Sequence, residues 1–344
     1  MSHEIYIDDI DRDEMRSGFF VTSDRKKMWN VQLNIIVEFA RICKKYNLHW
    51  FIDTGSLLGA VRHGGFVPWD DDLDVSMFRP DYEKFKQVAP KELNPKFLFD
   101  PWYNYAREGE SNPEGLPVVK REQLEKYPWL PFSPILKIKD PNTMYVKYLD
   151  YDNLIQCIGL DISPFDPVPP FDNPEHDRIF EMGEEIRRVV LYPKQVAQDI
   201  ADGKPMYHSR EQLEHLMSLP FKQLALAYDD FLAKNYFESE YVFSITFYVL
   251  RRNAGRPLML KSEWLKQLTE LPFERIKVPG SAHYEKVLNA LYGDWHTPIV
   301  SYAHAKVFSA DVSCKDYFRL RADLQPILYS SDVSHDAGLK RYKQ

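Results

Sequence analysis

Apolar residues recur at helical spacing early in the chain, at Met28, Trp29, Ile35, Ile36, Phe39, Ile42 and Tyr46. That period predicts one long helix running to about Asn47, with Ser23 or Thr22 as its cap. A short strand over 49–53 follows, rich in aromatic and branched residues. Gly55-Ser56 breaks it and opens a helix over 57–62. His63-Gly64-Gly65 ends that helix, because glycine accepts positive φ. A second strand is expected over 73–78, and Pro80 starts a helix through Val88. Residues 103–134 are rich in proline, glycine and charge and read as a long loop with little regular structure, of the kind that is more often functional than idle. Strands are predicted near 135–139, 145–148 and 158–162. Helices are predicted over 174–190, 210–234, 240–252 and 284–292, with one more strand over 273–279.

Strands therefore concentrate in the first half and helices in the second, so the expected class is α+β. The expected organisation is an acidic segment over 1–22, a catalytic core over 23–170, a mainly helical region over 171–328 that completes the fold, and a mobile polar tail over 329–344. The 344 residues are 44% hydrophobic, enough for one large core or a catalytic domain with a helical extension. A net charge of −7 argues against nucleic acid as the main partner. Cys43, Cys157 and Cys314 are far apart, without the spacing of a zinc knuckle or a redox pair, and read as reduced thiols. The acidic N-terminus has no apolar secretory core. No window approaches the ~18 apolar residues of a transmembrane helix. The expected location is cytoplasmic, with peripheral contact to a membrane-bound acceptor left open.

Residues 69–75 read Trp-Asp-Asp-Asp-Leu-Asp-Val. Crowded aspartates repel one another unless a cation is present. In a strand Asp70, Asp72 and Asp74 share one face, while Leu73, Val75 and Met77 point into a core. Aspartate is disfavoured inside strands, so a solvated acidic turn would not run directly into this apolar stretch. Hard carboxylate ligands suit Mg²⁺ or Mn²⁺. A calcium loop is excluded, because Val75 stands where that loop needs glycine and Asp81 where it needs glutamate. A two-metal site needs a further carboxylate from another strand. Asp161, flanked by apolar residues, is the candidate, and Asp166, just past that strand, the alternative.

Gly55 and Ser56 form a strand-to-helix turn whose backbone N–H groups and helix dipole suit a phosphate. Followed by an aspartate-bearing strand, the turn places a phosphate cradle and a metal pair at one cleft. Arg62 is either a bidentate phosphate ligand or a cation at the helix C-terminus. His63 reads as a turn residue more than as a proton carrier. Lys137 and Lys139 alternate on one strand; they either neutralise a donor pyrophosphate or form a solvated face.

The stretch FIDTGSLLGAVRHGGFVPWDDDLDVSMFRPDYEKF, residues 51–85, closely resembles the LicD family, which includes the fukutin-related proteins. Weaker echoes lie at 136–145, 159–169 and 284–298. The resemblance implies a nucleotidyltransferase-like mixed-sheet core with a helical extension. It implies metal-dependent transfer of a phospho-alcohol, such as phosphocholine or ribitol phosphate, from a CDP-linked donor to a hydroxyl of a glycan or glycolipid. By position, Gly55 and Ser56 match the family's phosphate turn, Asp72 and Asp74 its metal pair, and Asp161 its third carboxylate. No cysteine cluster matches the zinc-binding insertion of some animal relatives. The competing readings are nucleotidyl transfer from an NTP to a small molecule, glycosyl transfer by a DxD enzyme, and a non-enzymatic glycan binder using Trp102, Tyr103 and Trp129.

Overall fold

The computed structural model describes residues 5–126, 134–149, 151–300 and 304–320. Trp129 and the tail over 329–344 lie outside the described residues. A hairpin of β1 (Glu14–Arg16) and β2 (Phe19–Val21) leads into α1 (Ser23–Tyr46), followed by β3 (Phe51–Ile52), α2 (Thr54–His63), β4 (Asp74–Phe78) and α3 (Arg79–Glu92). Next come β5 (Leu98–Pro101), β6 (Ala106–Arg107), β7 (Val118–Val119), α4 (Arg121–Lys126), β8 (Leu136–Lys139), β9 (Met144–Val146) and β10 (Gly159–Pro167). Helices α5 (Pro174–Leu191), α6 (Pro193–Ala201), α7 (Arg210–Ser218) and α8 (Phe221–Lys234) precede β11 (Tyr241–Phe243), α9 (Ile245–Asn253) and β12 (Leu260–Lys261). Then follow α10 (Ser262–Lys266), β13 (Leu268–Phe273), β14 (Ile276–Ser281), α11 (Tyr284–Tyr292), β15 (Val307–Ser309) and α12 (Cys314–Leu320). Helices and sheets of mixed character make this an α+β protein.

Two compact units are formed, one by the described residues within 1–100, 136–163 and 263–344, the other by those within 101–135 and 164–262. In the first, α1 begins where the Thr22 hydroxyl accepts from the Arg25 N–H, and it ends at Asn47 with φ 53°. Its buried stripe includes Met28, Trp29, Leu33, Ile35, Ile36, Phe39 and Ile42. Full burial of each such side chain is worth roughly 1.5–3 kcal/mol. Trp29 stacks on Phe66 at 4.9 Å, and Phe39 meets the edges of Trp50 and Phe85. This packing seats α1 against the chain that leads into the aspartates.

β3 pairs antiparallel with β4, placing Phe51 opposite Ser76 and Ile52 opposite Val75. β4 neighbours β10, and β10 pairs antiparallel with β8, so that Asp161 stands opposite Lys137. The Asp161 N–H donates to the Leu73 carbonyl at 3.0 Å. Two carboxylate-bearing segments thus lie side by side. The strand expected over 273–279 is the bend of a hairpin, β13 with β14, which turns at Glu274 with φ 52°.

The second unit has its own core, which includes Trp102, Ile186, Val189, Val190, Leu213, Phe221, Leu224 and Tyr228. Trp102 is 5% exposed there, so its ring is packed rather than presented to a glycan. The segment expected to be an irregular loop holds a parallel pair, β6 with β7, and the short helix α4. Its charged residues are anchored on α8: Glu110 accepts from the Phe221 N–H at 2.8 Å, and Arg107 sits over the Phe221 ring at 4.7 Å. The helix expected over 240–252 begins later, at Ile245, because residues 241–243 pair as β11 with β12.

Candidate active site

The side chains of Asp70, Asp72 and Asp74 are partly open, whereas Asp71, Leu73 and Val75 are buried. The alternation expected of a strand therefore starts before regular pairing does, since β4 begins only at Asp74. Asp71 falls on the closed side and has its charge met there. It accepts from the His304 N–H at 3.0 Å, the Ala305 N–H at 2.8 Å and the His304 ring at 3.1 Å. His304 Nδ1 also lies 3.0 Å from Asp72. Bonds from Asp71 and then Asp72 raise the imidazole to about 11, so it is a cation at neutral pH. Burial works against the Asp72 charge, but the His304 bond outweighs it and holds that carboxyl below its ordinary range.

Asp70 and Asp74 shift the opposite way. Burial and then the charge of Asp72 push both well above the usual carboxylate range; Asp71 adds to the effect on Asp70, and Asp161 to that on Asp74. Like charges held together in a half-buried place oppose one another. One ligand atom each from Asp70, Asp71, Asp72 and His304 lies within 4.8 Å of the others, so the cluster could hold a metal ion, with His304 a ligand only after it gives up its proton. The oxygen donors around it fit a hard divalent cation, which would relieve the repulsion at Asp70 and Asp74.

Helix α2 starts three residues before the helix expected over 57–62, with Asp53 as its cap. Gly55 and Ser56 therefore lie in its first turn, and they serve the aspartates directly. The Ser56 hydroxyl accepts from the Asp74 N–H at 2.9 Å. The Thr54 hydroxyl donates to the Asp74 carboxylate at 2.8 Å. A Cβ on Gly55 would stand 2.5 Å from Asp70 Oδ2, so a side chain there would displace that carboxylate from its present place.

Three donors on α1 hold the backbone of the same turn. Arg25 and the Trp29 indole donate to the Asp70 carbonyl at 2.8 and 3.1 Å. Gln32 donates to the Asp71 carbonyl at 3.1 Å. Spacing of four and then three residues puts them on one helix face. The available sequence signal was the polar Arg25, Lys26 and Gln32 inside a mostly apolar stripe. His304 has no such signal, because 233 residues separate it from Asp71.

The remaining candidates already have protein partners. Lys137 donates to both Asp161 oxygens at 2.6 and 2.5 Å. Lys139 donates to Asp100 and to the Ile155 carbonyl, each at 2.6 Å. Asp166 is buried, opposite Phe243 of β11. Arg62 donates to the Trp295 carbonyl at 2.7 Å and to His63 Nε2 at 2.9 Å. An arginine can only donate, so His63 carries its proton on Nδ1 and gives it to the Ser17 hydroxyl, 3.1 Å away.

Burial, then the charges of Arg62 and Arg16, lower His63 to about 4. A histidine lowered in the fold contributes stability that is complete above its unfolded pKa of about 6.5 and lost as pH falls toward 4. The ring is half-exposed, so solvent screening reduces the effect to about 1 kcal/mol. A His63→Gln variant is expected to show a melting temperature that falls less between pH 7 and pH 5 than that of the parent, by a few degrees. Parallel curves in scanning calorimetry would contradict this.

Residues 47–152 match the family profile described as LicD/FKTN/FKRP, nucleotidyltransferase domain. The lipopolysaccharide cholinephosphotransferase LicD of Haemophilus influenzae is 47% identical over 64 residues, which are 19% of this chain and 24% of that protein. An uncharacterized protein of Rickettsia typhi is 47% identical over 47 residues, 14% of this chain and 15% of its own length. The human ribitol 5-phosphate transferase FKRP is 38% identical over 45 residues, 13% of this chain and 9% of that protein. The chain thus spans about a quarter or less of the curated relatives it matches. Residues 47–152, which carry the aspartate turn and the two α2 hydroxyls that orient Asp74, are thus the part of this chain that is similar to the LicD family.

Proposed function

We propose that the protein is a metal-dependent phosphotransferase that moves a phospho-alcohol from a CDP-linked donor to a hydroxyl of a glycan or glycolipid. The observation that carries this is the carboxylate cluster, half-buried and self-repelling, with Asp161 on the neighbouring strand. The phosphocholine and ribitol phosphate transfer named for two relatives supports the choice of group. Asp72, Asp74 and Asp161 are the residues assigned to hold Mg²⁺ or Mn²⁺. Bound there, the metal would neutralise charge on the phosphoryl group and polarise the reacting oxygens.

The chain's own residues prepare that place. Thr54 and Ser56 fix Asp74 from the side chain and from the backbone. His304 fixes Asp72, and the α1 donors fix the Asp70 and Asp71 carbonyls just before it. Such preorganisation contributes to rate because the dipoles need not reorient during reaction. Asp161 is the candidate to take the acceptor proton, a role that requires its bond to Lys137 to open.

Among the described residues no helix is long and apolar enough to cross a membrane, so a lipid-linked acceptor would be met peripherally. Cys43, Cys157 and Cys314 are buried and unpaired, which suits the reducing cytoplasm assigned here. The test is product analysis with Mg²⁺, CDP-choline or CDP-ribitol, and a glycan acceptor. CMP release is expected, and it should stop in an Asp72→Asn variant. Pyrophosphate release from an NTP would point to nucleotidyl transfer instead, and UDP or GDP release to glycosyl transfer.

A further inference from the structure

With Lys137 and Lys139 committed to carboxylates, the cation for a donor phosphate must come from elsewhere. The bend that ends strand β9 supplies one, Lys147. Met144 and Val146 of β9 are buried in a cluster with Cys157, Val307 and Cys314. By alternation Tyr145 takes the opposite side, and Lys147, in the bend just past β9, lies with its ammonium over the Tyr145 ring. The strongest charges acting on Tyr145 are Asp71 and Asp72, and those on Lys147 are Asp72, Asp161 and Asp71. Both side chains therefore face the aspartates.

Neither is used up there. The Tyr145 hydroxyl is buried without a hydrogen-bond partner among the described residues. Lys147 makes no ion pair among the described residues, although its ammonium lies 5.3 Å from the Tyr145 ring. The carboxylates around it already have donors: Asp71 and Asp72 have His304, and Asp161 has Lys137. The backbone is nonetheless held. Gln156 accepts from the N–H groups of Lys147 and Tyr148 at 3.0 and 2.9 Å and donates to the Tyr148 and Tyr151 carbonyls. The fixed end of β9 and the bend after it thus present three uncommitted ammonium protons and one buried hydroxyl beside the carboxylates.

We infer that Lys147 and Tyr145 form an anion subsite for the phosphoryl oxygens of the donor, next to the carboxylate cluster. The inference rests on the phosphotransferase reading and names the residues that receive the phosphate. Lysine suits the task as a compact point charge with three donors, and partial burial strengthens its pull.

CDP with Mg²⁺ is the probe, measured by titration calorimetry. Lys147→Met is expected to weaken CDP binding about tenfold to fiftyfold, and Lys147→Arg to stay within a few-fold of the parent. Tyr145→Phe, which keeps the ring, should weaken it about threefold to tenfold. Mg²⁺ alone should bind Lys147→Met as well as the parent or better, since a cation has left the neighbourhood of the carboxylates. CDP binding unchanged in both Lys147→Met and Tyr145→Phe overturns the subsite and leaves the phosphotransferase reading standing. A parent protein that binds no CDP overturns the CDP-donor reading, and the subsite with it.

Discussion

An Asp74→Asn variant is expected to lose about a thousandfold in turnover, while melting at a higher temperature than the parent in metal-free buffer. Two opposite effects of one substitution follow from the position of the side chain. The Asp74 carboxyl is raised by burial first, then by the charges of Asp72, Asp161 and Asp53. Asparagine keeps the shape and can still accept from Thr54, so the fold around it has no reason to change. Without metal, one repelling charge is gone and the folded state gains. With metal, a ligand is gone and the ion binds weakly.

The loss of about a thousandfold corresponds to ~4 kcal/mol of transition-state stabilisation. The thermal signature is independent of any assay for activity. An ion at about a hundred times its dissociation constant stabilises the parent by roughly 2.7 kcal/mol, and that increment should vanish in the variant. A variant that gains as much from Mg²⁺ as the parent would remove Asp74 from the metal site.

Gly59→Ala is expected to destabilise the protein by about 3 kcal/mol or more, which inverts the usual sign. In a helix interior alanine is normally better than glycine by roughly 1 kcal/mol. Here a Cβ on Gly59 would lie 2.3 Å from the Gly65 carbonyl oxygen and 3.0 Å from the Val67 N–H nitrogen. Both neighbours are backbone and cannot rotate away. The Gly65 N–H also donates back to the Gly59 carbonyl at 3.3 Å, so chain and helix are in direct contact. Forcing them apart moves the segment that runs through Phe66 and Trp69 into Asp70.

Unfolding by urea should therefore show a lower midpoint, accompanied by weaker Mg²⁺ binding. Gly55→Ala provides the contrast, because its Cβ would meet the end of the Asp70 side chain rather than backbone. That variant should lose metal affinity with a smaller loss of stability. A Gly59→Ala protein as stable as the parent would show that the close approach is absent in solution.

Much of the site was legible in the sequence because it depends on neighbours along the chain. Alternation over residues 70–75 placed three aspartates on the open side, since a strand reverses its side chains at every residue. Thr22 at the start of α1 and Gly64 at the end of α2 were readable as caps, because capping is a contact within one turn. The class, α+β, followed from where the two periods concentrate. What could not be read was how cations would be shared among the carboxylates. Lys137 and Lys139 read either as phosphate ligands or as a solvated face, but each side chain is long enough to reach a carboxylate, Asp161 and Asp100, on the strand beside it.

His304, the α1 donors and Lys147 come to the turn from distant parts of the chain, and no local period records that approach. The sequence by itself thus determined which residues carry negative charge toward one face, since that is a property of backbone geometry and spacing. Only the tertiary structure decided which cations meet that charge and which remain available to a ligand, because ion pairing depends on distances through space between segments that the chain order does not constrain.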